Sequence, residues 1–233
     1  MAQNQPRPRV VATVCEHYAA ASLRMLSNTV RQPLVVGLGG TPRTRSSTEL
    51  ALRCALAAAE RAGARTQLIT GAELLLPLFD PNSTERSPVA QHLLTSLRES
   101  NGVIVASPGY HGGVSGLVKN ALDYVEDLRP EASPYLDGRA AGCIVCAGGW
   151  QAANSALAAL RSIMHALRAW PTPLGVAVNS LTTTFASDGT CVDDIIGEQL
   201  ALVGRQVAEF ALMRQHFVGM SKGSTPSAGM SPT

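Results

Sequence analysis

Three loops rich in glycine and hydroxyl residues carry the groups that could do chemistry in this sequence. The first runs from Gly39 to Thr48 and contains two arginines, Arg43 and Arg45. Short hydroxyl donors, free backbone N–H groups and the positive end of a helix dipole suit a phosphate group, and an arginine could add a charge-assisted hydrogen bond. The loop has neither the G-x-G-x-x-G nor the P-loop spacing. It predicts a phosphate cradle or, as an equal alternative, a helix N-cap at Ser46 or Ser47 with the arginines in solvent.

The second loop, residues 107–116, contains four glycines together with Tyr110 and His111. Glycines allow the backbone to approach a flat ligand closely, and Tyr110 could lie near an aromatic ring or line the pocket. His111 suggests a general base, but one histidine in a glycine-rich loop is weak evidence and no Ser/His/Asp arrangement accompanies it. We therefore expect ligand contacts through the backbone of this loop rather than acid–base catalysis.

The third loop reads Ala147-Gly148-Gly149-Trp150-Gln151 and precedes a helical pattern. The N–H groups at the start of that helix can bond the carbonyl edge of a ring system. Trp150 is expected to flank such a ligand or to pack at a subunit contact. A plain strand-to-helix turn explains the loop equally well when it is taken alone.

Other reactive residues have simpler interpretations. Lys119 and Asp123 are four residues apart on a predicted helix, which favours a surface ion pair, and Asn120 beside them is expected to be equally unremarkable. Cys143 and Cys146 form a C-x-x-C pattern inside an apolar strand. Residues three apart in a strand point to opposite faces, so we predict two buried free thiols and no disulfide or zinc site. The histidines are dispersed, and no metal site is predicted.

Strands and helices alternate from residue 33 onward. Five apolar runs predict strands at 34–38, 66–70, 102–106, 140–147 and 174–179. The segments between and after them predict helices at 46–62, 89–99, 115–128, 151–169 and 192–213. This alternation predicts an α/β fold with a doubly wound five-stranded parallel sheet flanked by helices. Ligands of such sheets bind beyond the carboxyl ends of the strands. Since the three loops follow strands one, three and four, they predict a single site.

Composition excludes several classes of protein. The chain has 233 residues, 45% of them hydrophobic and 15% charged, with a net charge of +2. No dense run of lysine and arginine suggests a nucleic-acid partner. No stretch reaches the roughly 18 apolar residues of a membrane span, and the N-terminus lacks the apolar core of a signal peptide. The chain has five cysteines, an odd number, and they are scattered along the sequence. This usage is typical of free thiols in a reducing compartment, so we expect a soluble cytoplasmic protein.

Three segments are predicted along the chain. Residues 1–32 form an N-terminal arm in which 19–30 could be an amphipathic helix. This segment is a mobile arm or the product of an upstream start codon or, equally, an arm that contacts another subunit. Residues 33–216 form the α/β domain. Residues 217–233 are rich in Ser, Gly and Pro toward their end and are expected to be a disordered tail.

The sequence resembles the NAD(P)H-dependent FMN reductases of the flavodoxin-like fold, and within them the branch that supplies reduced flavin to two-component monooxygenases. The family pattern Gly-Ser-x-Arg-x-x-Ser stands here at 40–46, with Thr41 in place of Ser. The family stretch Thr/Ser-Pro-x-Tyr, followed by Gly and Lys, appears between Ser107 and Lys119. The Gly-Gly turn lies at 148–149, and 76–80 resembles the second crossover of the family. The resemblance extends from about residue 33 to 215.

The resemblance implies an FMN site built from the three loops. The implied residues are Thr41, Arg43, Ser46, Ser47 and Thr48 at the phosphate, Pro108, Tyr110, His111 and Gly112 along the isoalloxazine with Gly109 and Ser115 in the same loop, and Gly148, Gly149 and Trp150 at the pyrimidine side. It also implies hydride transfer from NADPH or NADH to FMN with no catalytic side chain, because the cofactors carry the reaction. The subunits would form a homodimer or homotetramer.

Competing functions remain open at this point. The same loops would serve an NAD(P)H quinone or azo reductase that keeps FMN tightly bound. A flavodoxin-type electron carrier is less consistent with the chain, since such carriers are strongly acidic and this sequence has a pI near 8.4. A non-enzymatic regulator with a vestigial pocket is the least favoured.

Overall fold

A computed structural model describes residues 31–223, with side chains as far as residue 218. The predicted helix at 19–30 lies outside the described residues, as do the last ten residues of the predicted tail. Residues 32–214 form one compact unit, and the remaining unit consists of the two ends of the chain. Within the described part of the chain, no helix has both the length and the hydropathy that a membrane crossing requires.

The elements alternate as the sequence predicts. The strands are β1 Leu34–Gly39, β2 Arg65–Ile69, β3 Gly102–Tyr110, β4 Gly113–Val114, β5 Ala140–Ala147, β6 Trp170–Pro171 and β7 Val176–Asn179. The helices are α1 Ser47–Arg61, α2 Pro88–Glu99, α3 Gly116–Asp123, α4 Trp150–Ala166 and α5 Asp194–Gly223. Two 3₁₀ turns lie at Gly71–Leu74 and Tyr124–Leu128, and the second replaces the end of the helix predicted at 115–128. Helix α5 continues past residue 216, where we had placed the end of the domain.

The strands form one sheet in the order β2-β1-β3-β5, with β6 and β7 both paired to β5. All pairs are parallel except the short antiparallel pair of β3 and β4. If β6 and β7 count as one position, this is the 2-1-3-4-5 order of the flavodoxin-like fold. The sheet has seven strands rather than five because β4 extends the second loop and the short β6 precedes the predicted fifth strand, which is observed as β7. Pro173 lies between β6 and β7 and has no N–H to donate to the ladder.

Helices cover both faces of the sheet. One face packs against α2, α3 and α4, and the other against α1 and α5. Strands β1 and β5 are buried along their whole length, as expected of strands with a helix layer on each side. Cys143 belongs to the first of these two cores and Cys146 to the second, which confirms the prediction of two free thiols on opposite faces. Burial raises the pKa of each thiol to about 12.

Helices α1 and α5 approach each other closely at Gly204. A Cβ atom at Gly204 would lie 1.9 Å from the carbonyl oxygen of Ala55 and 3.1 Å from the backbone nitrogen of Ala59. Only a residue without a side chain allows this backbone contact. The spacing between α1 and α5 is therefore fixed at this point.

Gly204→Ala is expected to lower the free energy of unfolding by about 2–3 kcal/mol, because the new methyl group overlaps backbone atoms that cannot rotate away. Gly197→Ala in the same helix is the matched control, since its Cβ would meet only the Cβ of Cys191 at 3.6 Å. That variant should be neutral or more stable by about 0.5 kcal/mol through helix propensity. Urea denaturation of both variants measures the difference, and equal stabilities would contradict the packing described.

Candidate functional site

The three glycine-rich loops meet at the carboxyl edge of the sheet. Strands β1, β3 and β5 are neighbours, and their register places Gly39 beside Ala106 and Ala106 beside Ile144. The loops that follow these strands therefore leave the same edge side by side. This is the place where open parallel sheets bind ligands.

The first loop folds back against β3 at its start. Gly39 has φ +143°, and a Cβ there would lie 1.8 Å from the carbonyl oxygen of Ala106. Gly40 has φ +105° and donates its N–H to that same oxygen at 3.2 Å. Glycine is required at both positions because a side chain would meet backbone or force a strained φ.

Ser46 is the N-cap of α1. It is buried, and its hydroxyl accepts a hydrogen bond from the N–H of Glu49 at 3.3 Å. Ser47 and Thr48 follow in the first turn, where N–H groups have no intrahelical acceptor. Thr48 is buried, and its side chain lies beside the Cys146 thiol in the core. Thr48 therefore offers the loop its backbone N–H.

Glu49 holds the loop in place, a role that our sequence analysis missed. Its carboxylate is buried, accepts the backbone N–H of Arg45 at 2.9 Å and pairs with Nε of Arg53 at 2.8 Å. The contact fixes Arg45 in the left-handed region, at φ +55°. The pattern Ser46-x-x-Glu49 matches a capping box and was the signal available in the sequence.

The two arginines of the first loop have different surroundings. Nη2 of Arg45 donates to the carbonyl oxygen of Ser187 at 2.6 Å, and lies 3.5 Å from that of Ala186. Arg45 thereby joins the loop to the connector, which we define as residues 180–193 between β7 and α5. The Arg43 side chain is exposed and has no hydrogen bond or ion pair within residues 31–223. The first loop thus has one arginine engaged with protein and one available to a ligand.

The second loop is a tight β-hairpin. Tyr110 pairs with Gly113, and the two residues between them, His111 and Gly112, have φ +52° and +83°. Positive φ at both central positions is the mark of a type I′ turn, which matches the twist of the flanking strands. Tyr110 is 55% exposed, so the hairpin presents an aromatic ring to solvent.

Hydroxyl groups fix the base of this hairpin. Ser107 is fully buried, and its hydroxyl accepts the N–H of Ser115 at 2.9 Å and donates to the carbonyl of Pro108 at 2.8 Å. Ser115 in turn caps α3 by accepting the N–H of Val118. The side chains of Ser107 and Ser115 are therefore structural, while the exposed tip offers its backbone and Tyr110.

The third loop leads into α4 without a side-chain cap. Gly149 is the N-cap and has no side chain to donate or accept, so the first N–H groups of α4 are open to a ligand. Trp150 begins the helix and is 50% exposed. Leu181 of the connector is 77% exposed and would lie 3.9 Å from a Cβ at Gly148. The loop therefore combines polar backbone donors with an apolar rim.

Asn120 anchors the segment at 76–80, a role that the sequence analysis did not assign to it. Its amide oxygen accepts the N–H of Phe79 at 2.9 Å and its amide nitrogen donates to the carbonyl of Pro77 at 2.9 Å. The hydroxyl of Tyr124 donates to the same carbonyl at 3.0 Å. Asn120 is thus a clamp rather than a plain surface residue. Its neighbour Lys119 does pair with Asp123, at 2.5 Å, as predicted.

Arg86 completes the anchoring of this segment. Its guanidinium bonds Asp127 through two nitrogens, at 2.6 and 2.9 Å, which raises the pKa of Arg86. The same group lies 5.1 Å from the ring centre of Phe79 and 5.5 Å from that of Tyr124. The chain from 76 to 86 is therefore held beside α3.

The chain matches the family of NADPH-dependent FMN reductases over residues 33–183, which include all three loops. The protein belongs to this family. The prediction of the family, of its cofactors FMN and NADPH and of an oxidoreductase is thereby confirmed at the level of the family. The precise ligand contacts of the individual residues stay predictions.

Similar proteins agree with this assignment. The chain is 32% identical over 120 residues to an NADPH azoreductase of Bacillus sp., covering 51% of this chain and 59% of that protein. It is 26% identical over 180 residues to the NADPH-dependent FMN reductase ArsH of Shigella flexneri, covering 77% and 69%. A flavoenzyme NAD(P)H:acceptor oxidoreductase of Paracoccus denitrificans has the same fold, with a TM-score of 0.65 at 19% identity, over 78% of this chain and 98% of that one. The chain spans between 48% and 60% of the length of four curated relatives.

Arg45→Ala is expected to loosen the connector, because the two carbonyl contacts of its guanidinium are lost. Hydrogen exchange of the protected amides of Ala186, Gly189 and Val192 should become about fivefold faster, the factor that corresponds to roughly 1 kcal/mol. Arg43→Ala is the matched control and should leave these amides unchanged. Equal exchange in both variants would show that Arg45 does not hold the connector. The experiment needs no ligand.

Proposed function

We propose that this FMN reductase family member transfers hydride from NADPH to FMN held at the carboxyl edge of its sheet. One observation carries the proposal. Three loops on adjacent strands meet at this edge, and all three lead into helices whose first N–H groups have no intrahelical acceptor. Such an edge suits a ligand that has an anionic group at one end and a ring with carbonyl acceptors at the other.

The first loop suits the phosphate of FMN. The N–H groups of Ser47 and Thr48 and the positive end of the α1 dipole favour an anion. Arg43 is free to add a charge-assisted bond. The buried carboxylate of Glu49 would repel a phosphate, but its charge is balanced by Arg53 and by the N–H of Arg45.

The second and third loops suit the ring. The hairpin tip and Tyr110 would lie along the isoalloxazine, and the first N–H groups of α4 would bond its pyrimidine edge. When bound, the flavin accepts hydride from the nicotinamide, and the protein supplies proximity of the two rings. The donors of α4 would stabilise negative charge on the reduced ring. No general base is needed, so the exposed His111 has no catalytic role in this proposal.

The fate of the reduced flavin separates two candidate functions. In the first, FMN is a substrate, and its reduced form is released to a flavin-dependent monooxygenase. In the second, FMN stays bound and reduces an azo compound or a quinone. The second candidate is favoured by the Bacillus relative, which is named an azoreductase, and by two relatives from Staphylococcus species that are named FMN-dependent NADPH-azoreductases. Assembly as a homodimer or homotetramer and a cytoplasmic location stay predictions.

Arg43→Ala is expected to weaken FMN binding by about 10- to 100-fold, the range for losing one hydrogen bond to a charged group. The rate of NADPH oxidation at saturating FMN should not change, because Arg43 would contact the phosphate and not the ring. Arg65→Ala is the control, since Arg65 is also exposed but begins β2 at the opposite edge of the sheet. Fluorescence titration of FMN measures affinity. Unchanged affinity in the Arg43 variant would overturn its place at the phosphate.

The two fates of the flavin are distinguished by the flavin content of the purified protein and by NADPH oxidation with and without added FMN. Flavin-free protein whose turnover saturates with free FMN would support release to a partner. Yellow protein that ignores added FMN and turns over with an azo dye or quinone would support the bound form. Absence of NADPH oxidation under all of these conditions would overturn the proposed activity.

A further inference from the structure

A groove lies between α1 and the connector, beside the first loop. Its volume is about 620 Å³, and its lining includes two cysteines, one from each wall, Cys54 of α1 and Cys191 of the connector. Both thiols are partly exposed, whereas Cys143 and Cys146 are buried. None of the four is bonded to another cysteine. The proposed function does not use this groove.

The two thiols are close in space although they are far apart in the sequence. Sγ of Cys54 lies 3.3 Å from the carbonyl oxygen of Gly189, two residues before Cys191. Gly189 and Cys191 are two residues apart, at most about 7 Å along the chain, so this contact places Sγ of Cys54 in the neighbourhood of Cys191. Both cysteines line the same groove. A disulfide requires this kind of proximity.

The Cys191 sulfur can leave its present contact by rotation of its own side chain. Sγ of Cys191 now lies 3.4 Å from the carbonyl oxygen of Asp193. A change of χ1 to another staggered rotamer redirects that sulfur without moving the backbone. The weak S–H contact that is lost is small beside the covalent bond that forms.

We propose that Cys54 and Cys191 are an oxidisable dithiol that reacts with hydroperoxides and fastens the connector to α1. One thiolate attacks a peroxide oxygen, the O–O bond breaks, and a sulfenic acid and water result. The second thiol attacks that sulfur, the S–S bond forms, and the S–O bond breaks with loss of a second water. In total, one hydrogen peroxide and two thiols give one disulfide and two waters. The reaction goes beyond the proposed function and needs neither FMN nor NADPH.

Burial and neighbouring charges determine how fast the two thiols react, because they set the pKa of each thiol. Burial raises the pKa of Cys54 and of Cys191, so less thiolate is present at neutral pH than at an exposed cysteine. Arg61 lowers the pKa of Cys54, while Asp188 acts in the opposite direction. Asp193 and Asp194 further raise that of Cys191. The pair therefore responds to sustained oxidant rather than to a brief pulse.

The bond would replace weak contacts with a covalent one. The connector is now held to α1 and the first loop by Arg45 and by the contact of Cys54 with Gly189. A cross-link between residues 54 and 191 closes a long loop, and long loops restrict the unfolded chain most. The melting temperature of the oxidised protein should therefore rise by roughly 5 °C or more.

Peptide mapping of the full chain tests the proposal. The protein is incubated with hydrogen peroxide, blocked with iodoacetamide and digested with trypsin without reduction. The tryptic peptides separate the cysteines, with Cys15 in 10–24, Cys54 in 54–61, Cys143 and Cys146 in 140–161, and Cys191 in 169–205. The expected product joins 54–61 to 169–205 and weighs two hydrogen atoms less than the separate peptides.

Serine variants supply the controls. Cys54→Ser and Cys191→Ser should each abolish the linked peptide and the rise in melting temperature, whereas Cys15→Ser should keep both. A linked peptide containing 10–24, or separate peptides that carry only sulfinic or sulfonic acids, would overturn the proposal. A linked product without any rise in melting temperature would overturn the claim that it fastens the connector. None of these measurements depends on flavin reduction, so failure of the proposed function leaves them intact.

Discussion

Parallel pairing of β1, β3 and β5 is the constraint on which the rest of the structure depends. It sends three loops out of one edge of the sheet, and it fixes the directions of the helices that follow them. Two close backbone contacts then position the elements of the site. Gly39 lies against the carbonyl of Ala106, which holds the first loop close to β3, and Gly204 lies against Ala55, which sets the distance between α1 and α5. Apart from the Arg43 guanidinium, the polar groups that the proposal assigns to the ligand are backbone groups, so their placement follows mainly from the fold.

Much of this arrangement could be predicted from the sequence because it is encoded locally. Strand β5 has the predicted bounds of 140–147, and α1 at Ser47–Arg61 differs from the prediction by one residue at each end. Alternation along a strand was sufficient to place Cys143 and Cys146 on opposite faces. The order of strands and helices, together with right-handed crossovers, then left few ways to arrange the sheet.

The parts that were missed depend on contacts between distant residues. Arg45 reaches carbonyl oxygens more than 140 residues away, and Asn120 binds a segment more than 40 residues before it. No local sequence pattern indicates such distant hydrogen-bond partners. Glu49 is a different case. Its capping-box spacing from Ser46 is visible in the sequence, but that pattern does not predict the bond that its carboxylate accepts from the N–H of Arg45. Strand β6 was missed because it has only two residues and prolines stand at 171 and 173, a composition that does not indicate a strand.

The uncapped start of α4 has a consequence for ligand choice. In the free protein, water must satisfy the N–H groups that Gly149 leaves open, and a ligand displaces that water on binding. A ring edge with carbonyl oxygens restores the lost hydrogen bonds, whereas an apolar edge leaves buried donors unpaired at a cost of about 1–3 kcal/mol each. The start of α4 would therefore disfavour flat aromatic molecules that lack hydrogen-bond acceptors, although stacking on Tyr110 and Trp150 alone would not distinguish them. By leaving these N–H groups uncapped, Gly149 would favour ligands that carry acceptors.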